Sequence, residues 1–311
     1  MNKRTRQVAI AALFLLGTFG LVTEAQGNKK ITFLSVVQED LGISAVITSV
    51  TKDYQKTNPN VSYEFQYIAQ NDLVPKLELL TASDNLPTLY NVGDPVTVQQ
   101  LAAKGYVADI EATFKKLGIW DRVNPAAAAV VKSQYGGKML GLPLELNIEG
   151  IWYNKKLFAE NGIKEPTTWD AMIAAAEVFN KQGIIAFSAS GDQKWPLTRL
   201  LNGYIARKYG ANAMQRVADG DLKLTDAGFI EAARAVQNLG KKGYFGPGVN
   251  TIDYQTSVDN FLTGKAAMMY MGSWVLGNFN DPSKTKSETR TLVCLTFQTW
   301  QVAKAAETTG L

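Results

Sequence analysis

The sequence predicts an α/β protein built as two domains, and three observations carry that prediction. Strand-like and helix-like segments alternate as βαβαβ from Lys30 to Val92, which implies a parallel sheet. Once a leader is set aside, 286 residues remain, more than one hydrophobic core usually organises. The glycine- and proline-dense stretch Gly136-Gly137-Lys138-Met139-Leu140-Gly141-Leu142-Pro143 then marks a boundary between the two parts.

The leader is read from Lys3, Arg4 and Arg6 followed by the apolar run Val8 to Leu16, the basic and apolar regions of a secretory signal. That run is shorter than the roughly 18–20 residues needed to span a membrane. Small residues at Thr23-Glu24-Ala25 place cleavage after Ala25, so 1–25 is expected to be removed. Losing Lys3, Arg4, Arg6 and Glu24 takes the formal charge from +4 to +2, a balance that favours neither nucleic acid nor a membrane surface as partner.

Absences prune the chemistry further. The chain has no histidine and a single cysteine, Cys294. Serine–histidine and cysteine–histidine triads, histidine bases and ordinary zinc sites are therefore excluded, as are disulfides within the chain. No cofactor, metal site or catalytic residue is expected.

In the first part, Lys30 to Val37 reads as a strand, followed by a polar loop with Gln38, Glu39 and Asp40. Ile43, Val46, Ile47, Val50 and Tyr54 recur at helical spacing until Asn58-Pro59-Asn60 stops them. Val61 to Ile68 alternates as a second strand, Asp72 to Ala82 forms a helix, and Thr88 to Val92 a third strand ending at Gly93-Asp94-Pro95. Open parallel sheets bind ligands at the carboxyl ends of their strands, where residues 38–40 and Asp94 fall.

In the second part, Leu144 to Ile151 alternates apolar and polar residues, so the sequence predicts a strand with Glu145, Asn147 and Glu149 on a wet face and its leucines and isoleucines on a core face. A helix opens at Thr168-Trp169-Asp170 and runs to Asn180, with Gly183 ending it. Ile184 to Ser188 is a strand, leaving through the polar loop Ser190 to Pro196, which carries Asp192 and Trp195. Helices follow over Leu197 to Tyr209 and Thr225 to Gly240, and Tyr254 to Leu262 leads into Gly264 to Trp274. Met268, Met269 and Met271 read as buried strand, Tyr153 as core and Trp169 as packing at its helix start.

The order and spacing of Gly141-Leu-Pro, Ile151-Trp-Tyr-Asn-Lys-Lys-Leu-Phe158, Asn161-Gly-Ile, Pro166-Thr-Thr-Trp-Asp170, Phe261-Leu-Thr-Gly-Lys-Ala-Ala-Met268 and Met271-Gly-Ser-Trp274 closely resemble the family 1 extracellular solute-binding proteins of ABC sugar importers. The resemblance covers Ile31 to Asp281 and is nearest the multiple-sugar or α-galactoside branch, with maltose-binding protein more distant. It implies a two-lobed clamshell, type II-like, with 26–138 and 139–286 as the lobes, closing on a sugar or oligosaccharide and docking on the importer's permease subunits as a monomer. It also implies roles: Gln38, Glu39 and Asp94 lining the first lobe; Asn147 aligned with a ligand-contacting carboxylate, with Glu145 and Glu149 beside it; Asp192 and Trp195 in a loop bordering the sugar; and Trp274 as the tryptophan of the Gly-x-Trp motif. The absence of a cysteine near the cleavage point implies a periplasmic or secreted protein without a lipid anchor.

The tail departs from this pattern. Family chains continue and return to the first lobe, whereas 287–311 loses the resemblance. Codons permitted by Thr291 to Thr309, read in a shifted frame, allow a Phe-Pro followed by Gly-Gly-Lys-Gly, like the family's segment there. The expectation is a frameshifted tail and a missing C-terminal part of the fold, leaving strand edges and helix-facing apolar surface uncovered. Two other classes compete with the sugar binder. Glu145 and Glu149 can be cast as the carboxylate pair of a glycoside hydrolase, although four residues of strand separate their α-carbons by roughly 13 Å. A binder for a non-sugar solute is the other.

Overall fold

The computed structural model describes residues 28–91, 94–145, 147–280, 283 and 292–295. The expected leader 1–25 lies outside the described residues, as does the tail 287–311 apart from its last described span. The first part begins with β1 (Lys29–Ser35), α1 (Gly42–Thr57), β2 (Val61–Tyr67), α2 (Leu73–Ala82) and β3 (Leu89–Tyr90). These strands form a sheet of order β2-β1-β3, with β1 parallel to both neighbours. The expected parallel βαβαβ unit is thus present, and the register that pairs Ser35 with Tyr67 brings the carboxyl ends of β1 and β2 to one edge. Helix α1 stops where expected, the Asn58 amide closing the last turn onto the Tyr54 carbonyl. Helices α3 (Pro95–Ala103), α4 (Ile110–Lys116) and α5 (Pro125–Gln134) complete this part.

The orientation of α1 is less ordinary than its existence. Its buried residues are Ser44, Thr48 and Thr51, whereas Val46, Val50 and Tyr54 are 55%, 62% and 51% exposed. Hydroxyls replace methyl groups against the sheet: Ser44 bonds Ser35 at 2.8 Å, Ser35 donates to Asn91 at 2.6 Å, and Thr48 meets the Tyr63 hydroxyl at 2.9 Å.

The second part contains β4 (Glu149–Asn154), α6 (Lys155–Glu160), α7 (Trp169–Lys181), β5 (Ile185–Ser188), α8 (Trp195–Tyr209), α9 (Ala213–Ala218), α10 (Ala227–Lys241), α11 (Tyr254–Leu262), β6 (Ala266–Gly272), α12 (Leu276–Asn280) and β7 (Leu292–Leu295). Its sheet has the order β5-β6-β4-β7; β6 runs parallel to β5 and antiparallel to β4, and β4 runs antiparallel to β7. Helix α7 starts as expected, the Thr168 hydroxyl accepting the Ala171 amide at 3.1 Å. It then sets Met172, Ala176 and Phe179 on one face against Ala186, Phe187, Ala267 and Met268 of the sheet. Met268, Met269 and Met271 are buried on a strand covered on both faces, and Tyr153 is core, as the sequence indicated.

Two expectations need correction. The alternating segment 144–151 is not one strand, because β4 begins only at Glu149. Leu144 and Ile148, expected on the core face, are exposed, so Glu145 and Asn147 do not share a sheet face with Glu149. The chain is still approaching the sheet there: Ile148 exchanges hydrogen bonds with Ser273, past the end of β6. Alternation reports burial only where a packed face is opposite it, and here none is. Trp195, expected in a loop, is the first residue of α8, with Pro196 behind it in the first turn where a missing N–H costs nothing.

Candidate functional site

Three aromatic side chains meet at the starts of three elements. Trp195 opens α8, Tyr254 opens α11, and Trp274 lies in the turn leaving β6. The Trp195 ring lies 5.6 Å from Tyr254 and 6.1 Å from Trp274, centroid to centroid. The Trp274 indole N–H donates to the Tyr254 hydroxyl at 3.1 Å. All three are partly buried, backed by Trp152, Phe261, Met269 and Met271, so each keeps some surface toward solvent. Burial pushes the Tyr254 hydroxyl up to about 12, against the lowering effect of the Trp274 hydrogen bond. The phenol therefore stays protonated, accepting from Trp274 while its own proton remains available to a ligand oxygen.

The glycine of Met271-Gly-Ser-Trp274 has a steric cause. A Cβ on Gly272 would stand 1.9 Å from the Trp274 ring, which folds back over that backbone. Only glycine lets the indole occupy this place.

Polar groups border the aromatics. Ser273 donates to the Asn147 side-chain oxygen at 2.9 Å, and the Asn147 amide donates to Glu145 at 3.2 Å. The other Glu145 oxygen reaches the first part of the chain, 3.5 Å from where a Cβ on Gly42 would stand at the start of α1. Glu149 pairs with Arg199 at 2.7 Å, one helical turn along α8 from Trp195. Burial raises the Glu149 carboxyl above its usual range, opposed by the Arg199 charge.

The nine expected site residues therefore divide. Trp195 and Trp274 come together; Glu145 and Asn147 form a chain ending on Ser273, beside Trp274; Glu149 sits in its ion pair near Trp195. Asp192 is exposed in the loop before Trp195, its amide bonded to the Ile252 carbonyl. Gln38 and Glu39 are exposed in the turn before α1, and Glu39 lines a groove of about 680 Å³ along that helix with Asp40, Lys52 and Lys56, which includes none of the three aromatics. Asp94 does something else: it caps α3, accepting the Thr97 amide at 2.8 Å and the Thr97 hydroxyl at 2.5 Å. Those two bonds hold its carboxyl below the ordinary range.

Sequence reasoning missed Tyr254, Ser273, Arg199 and Gln193. A signal for Tyr254 existed: like Trp195 it is an aromatic at the first position of a helix after a polar loop, behind the N-cap Asp253. Among the described residues no group of three acidic or cysteine side chains could hold a metal, and no helix is long and apolar enough to cross a membrane.

Residues 40–291 match the family described as bacterial extracellular solute-binding protein. An uncharacterized ABC transporter extracellular-binding protein of Pyrococcus horikoshii is 28% identical over 243 residues, covering 75% of this chain and 54% of the relative. A probable sugar-binding periplasmic protein of Mesorhizobium japonicum is 28% identical over 211 residues, covering 67% of this chain and 49% of the relative. A solved structure described as a chitin oligosaccharide binding protein aligns with a TM-score of 0.75 at 26% identity, over 85% of this chain and 65% of that one. The chain spans about half the length of the curated relatives it matches.

Proposed function

The chain belongs to the bacterial extracellular solute-binding protein family, and from that premise we propose that it captures a sugar or oligosaccharide between two lobes and delivers it to the permease subunits of an ABC importer. The observation that carries the sugar class is the platform of Trp195, Tyr254 and Trp274, whose partly exposed faces suit the C–H faces of sugar rings. Asn147, Ser273, Glu149, Arg199 and the Tyr254 hydroxyl supply donors and acceptors for ring hydroxyls. In this reading 26–138 and 139–286 are the lobes, although β7 (Leu292–Leu295) of the second sheet lies beyond that second bound, with 1–25 as an export signal and the mature protein working as a monomer in the periplasm or outside the cell.

Binding without hydrolysis is the consistent reading. The family match supports a binder, and the two carboxylates cast as a glycosidase pair differ in setting, Glu149 pairing with Arg199 and Glu145 accepting from Asn147. The test is tryptophan fluorescence of the mature chain titrated with raffinose, melibiose, maltose, fructo-oligosaccharides and diacetylchitobiose, with reducing sugar assayed in parallel. A saturable change without sugar release is expected. Release of reducing sugar, or silence from a folded protein toward every sugar, would overturn the proposal.

A further inference from the structure

The loop between β5 and α8 holds a backbone conformation that the helix start does not require. Among the described residues Lys194 and Asp84 are the non-glycine residues with positive φ. Asp84 follows the end of α2, where left-handed residues are ordinary. Lys194 instead precedes a helix, at φ 61° and ψ −39°, in the middle of a γ-turn closed by the Trp195 amide on the Gln193 carbonyl at 2.6 Å. A turn of that hand is strained for a residue with a Cβ and persists only where its surroundings hold it.

Gln193 is the point at which it is held. Its amide donates to the Ser190 hydroxyl at 3.3 Å, and its side-chain oxygen accepts the Trp195 indole N–H at 2.9 Å. Its carbonyl, besides closing the turn, accepts the side-chain amide of Asn71 at 3.1 Å. Asn71 comes from the other sheet, in the short helical turn between β2 and α2. The same edge bears on the platform a second time, since Tyr67, the last residue of β2, contributes to raising the Tyr254 hydroxyl. One residue thus fastens the indole through its side chain and is itself fastened, through its backbone, by the opposite sheet.

We propose that Gln193 is the positioning residue for the Trp195 indole, and that Asn71 couples that indole to the first lobe, so that the aromatic platform is aligned only while the first lobe holds Gln193. The inference rests on the clamshell reading above. It makes part of the coupling between closure and the site independent of the sugar itself: the lobe that closes also sets the ring on which the sugar stacks. A relaxed turn would free the indole, so strain at Lys194 is retained at some cost in stability.

The test needs no ligand at first. Six tryptophans give six indole resonances in the nitrogen-labelled mature chain, and Trp195→Phe assigns the one of interest. Asn71→Asp, which keeps the shape and removes the donor, and Gln193→Ala should each shift the Trp195 indole signal and speed its hydrogen exchange about three- to tenfold, leaving that of Trp169 in place. Gln193→Glu keeps an acceptor at the same reach and should stay near the parent. Lys194→Gly should raise the melting temperature while speeding the same exchange, and should weaken binding of raffinose or diacetylchitobiose, whichever the parent binds. An unchanged Trp195 exchange in Asn71→Asp, with circular dichroism intact, overturns the inference. If the folded parent binds none of the sugars titrated above, the sugar reading fails while the indole exchange still decides this one.

Discussion

Among the described residues, the central apolar cluster around β1 consists of Leu34, Leu73 and Leu77, whereas around β4, β5 and β6 twenty buried residues, drawn from eight elements and the loop after α10, form one core. The difference is chemical as well as numerical. The first sheet receives α1 through the hydroxyls of Ser44 and Thr48, whose bonds to Ser35 and Tyr63 exchange for bonds to water, so each contributes only about 1 kcal/mol net. The second receives α7 through Met172, Ala176 and Phe179, where a fully buried large side chain contributes about 1.5–3 kcal/mol. One chain thus rests on a dense core around its second sheet and on satisfied polar contacts at its first, and the aromatic trio packs on the second.

The largest effect that would sharpen this contrast is Phe179→Ala, at a fully buried position in the larger core. We expect a loss of about 3–5 kcal/mol in urea unfolding, enough to abolish the second sheet's cooperative transition. Leu77→Ala, equally buried, should cost less, toward the lower end of about 2–5 kcal/mol, because its cluster is smaller and most of its other members are only partly buried. Equal losses at the two sites would break the comparison. Gly272→Ala should push Trp274 off its backbone, lowering stability by about 1–3 kcal/mol and weakening sugar binding by about tenfold, or about 1.4 kcal/mol, in the fluorescence titration.

The smallest effect lies at Asp94. Asp94→Ala removes the cap of α3 and should cost about 1 kcal/mol near pH 7. Because its carboxyl is held below the ordinary value of 3.8 by Thr97, that stabilisation is present above this pH and fades as the pH falls through the lower folded value. Urea midpoints of parent and variant should therefore converge in acid, and a gap that persists there would remove the carboxylate from the explanation.

Much of this was legible in the sequence. The parallel βαβαβ unit, the Thr168 cap and the buried methionine strand each rest on local signals that the fold leaves intact. Helix α1 was legible as a helix from its apolar spacing, but nothing there showed that Ser44, Thr48 and Thr51 would be its buried residues while Val46, Val50 and Tyr54 stay exposed. The segment 144–148 imitated a strand because alternation records polarity and not the presence of a partner. Of the candidate site, Trp195 and Trp274 were expected from the resemblance, and the structure brings their rings together. The contacts of Tyr254, Gln193 and Asn71 were not foreseen, because they join residues up to 122 positions apart. Asp94 was legible as an acidic residue at a strand end, yet the proline after it and the threonine three positions on spelled a helix cap.

The order of strands in the second sheet has a consequence in time. β4 sits between β6 and β7, and both partners come later in the chain; the Trp152 indole finds the Met271 carbonyl 119 residues downstream. At a synthesis rate of about 5–20 residues per second, β4 leaves the ribosome on the order of 10 s before its first neighbour exists. β1, by contrast, meets β2 within a few seconds, since Lys29 pairs with Val61. A nascent chain therefore carries an assembled first sheet ahead of an unpaired hydrophobic strand, and that interval is when a holding chaperone would have most to grip.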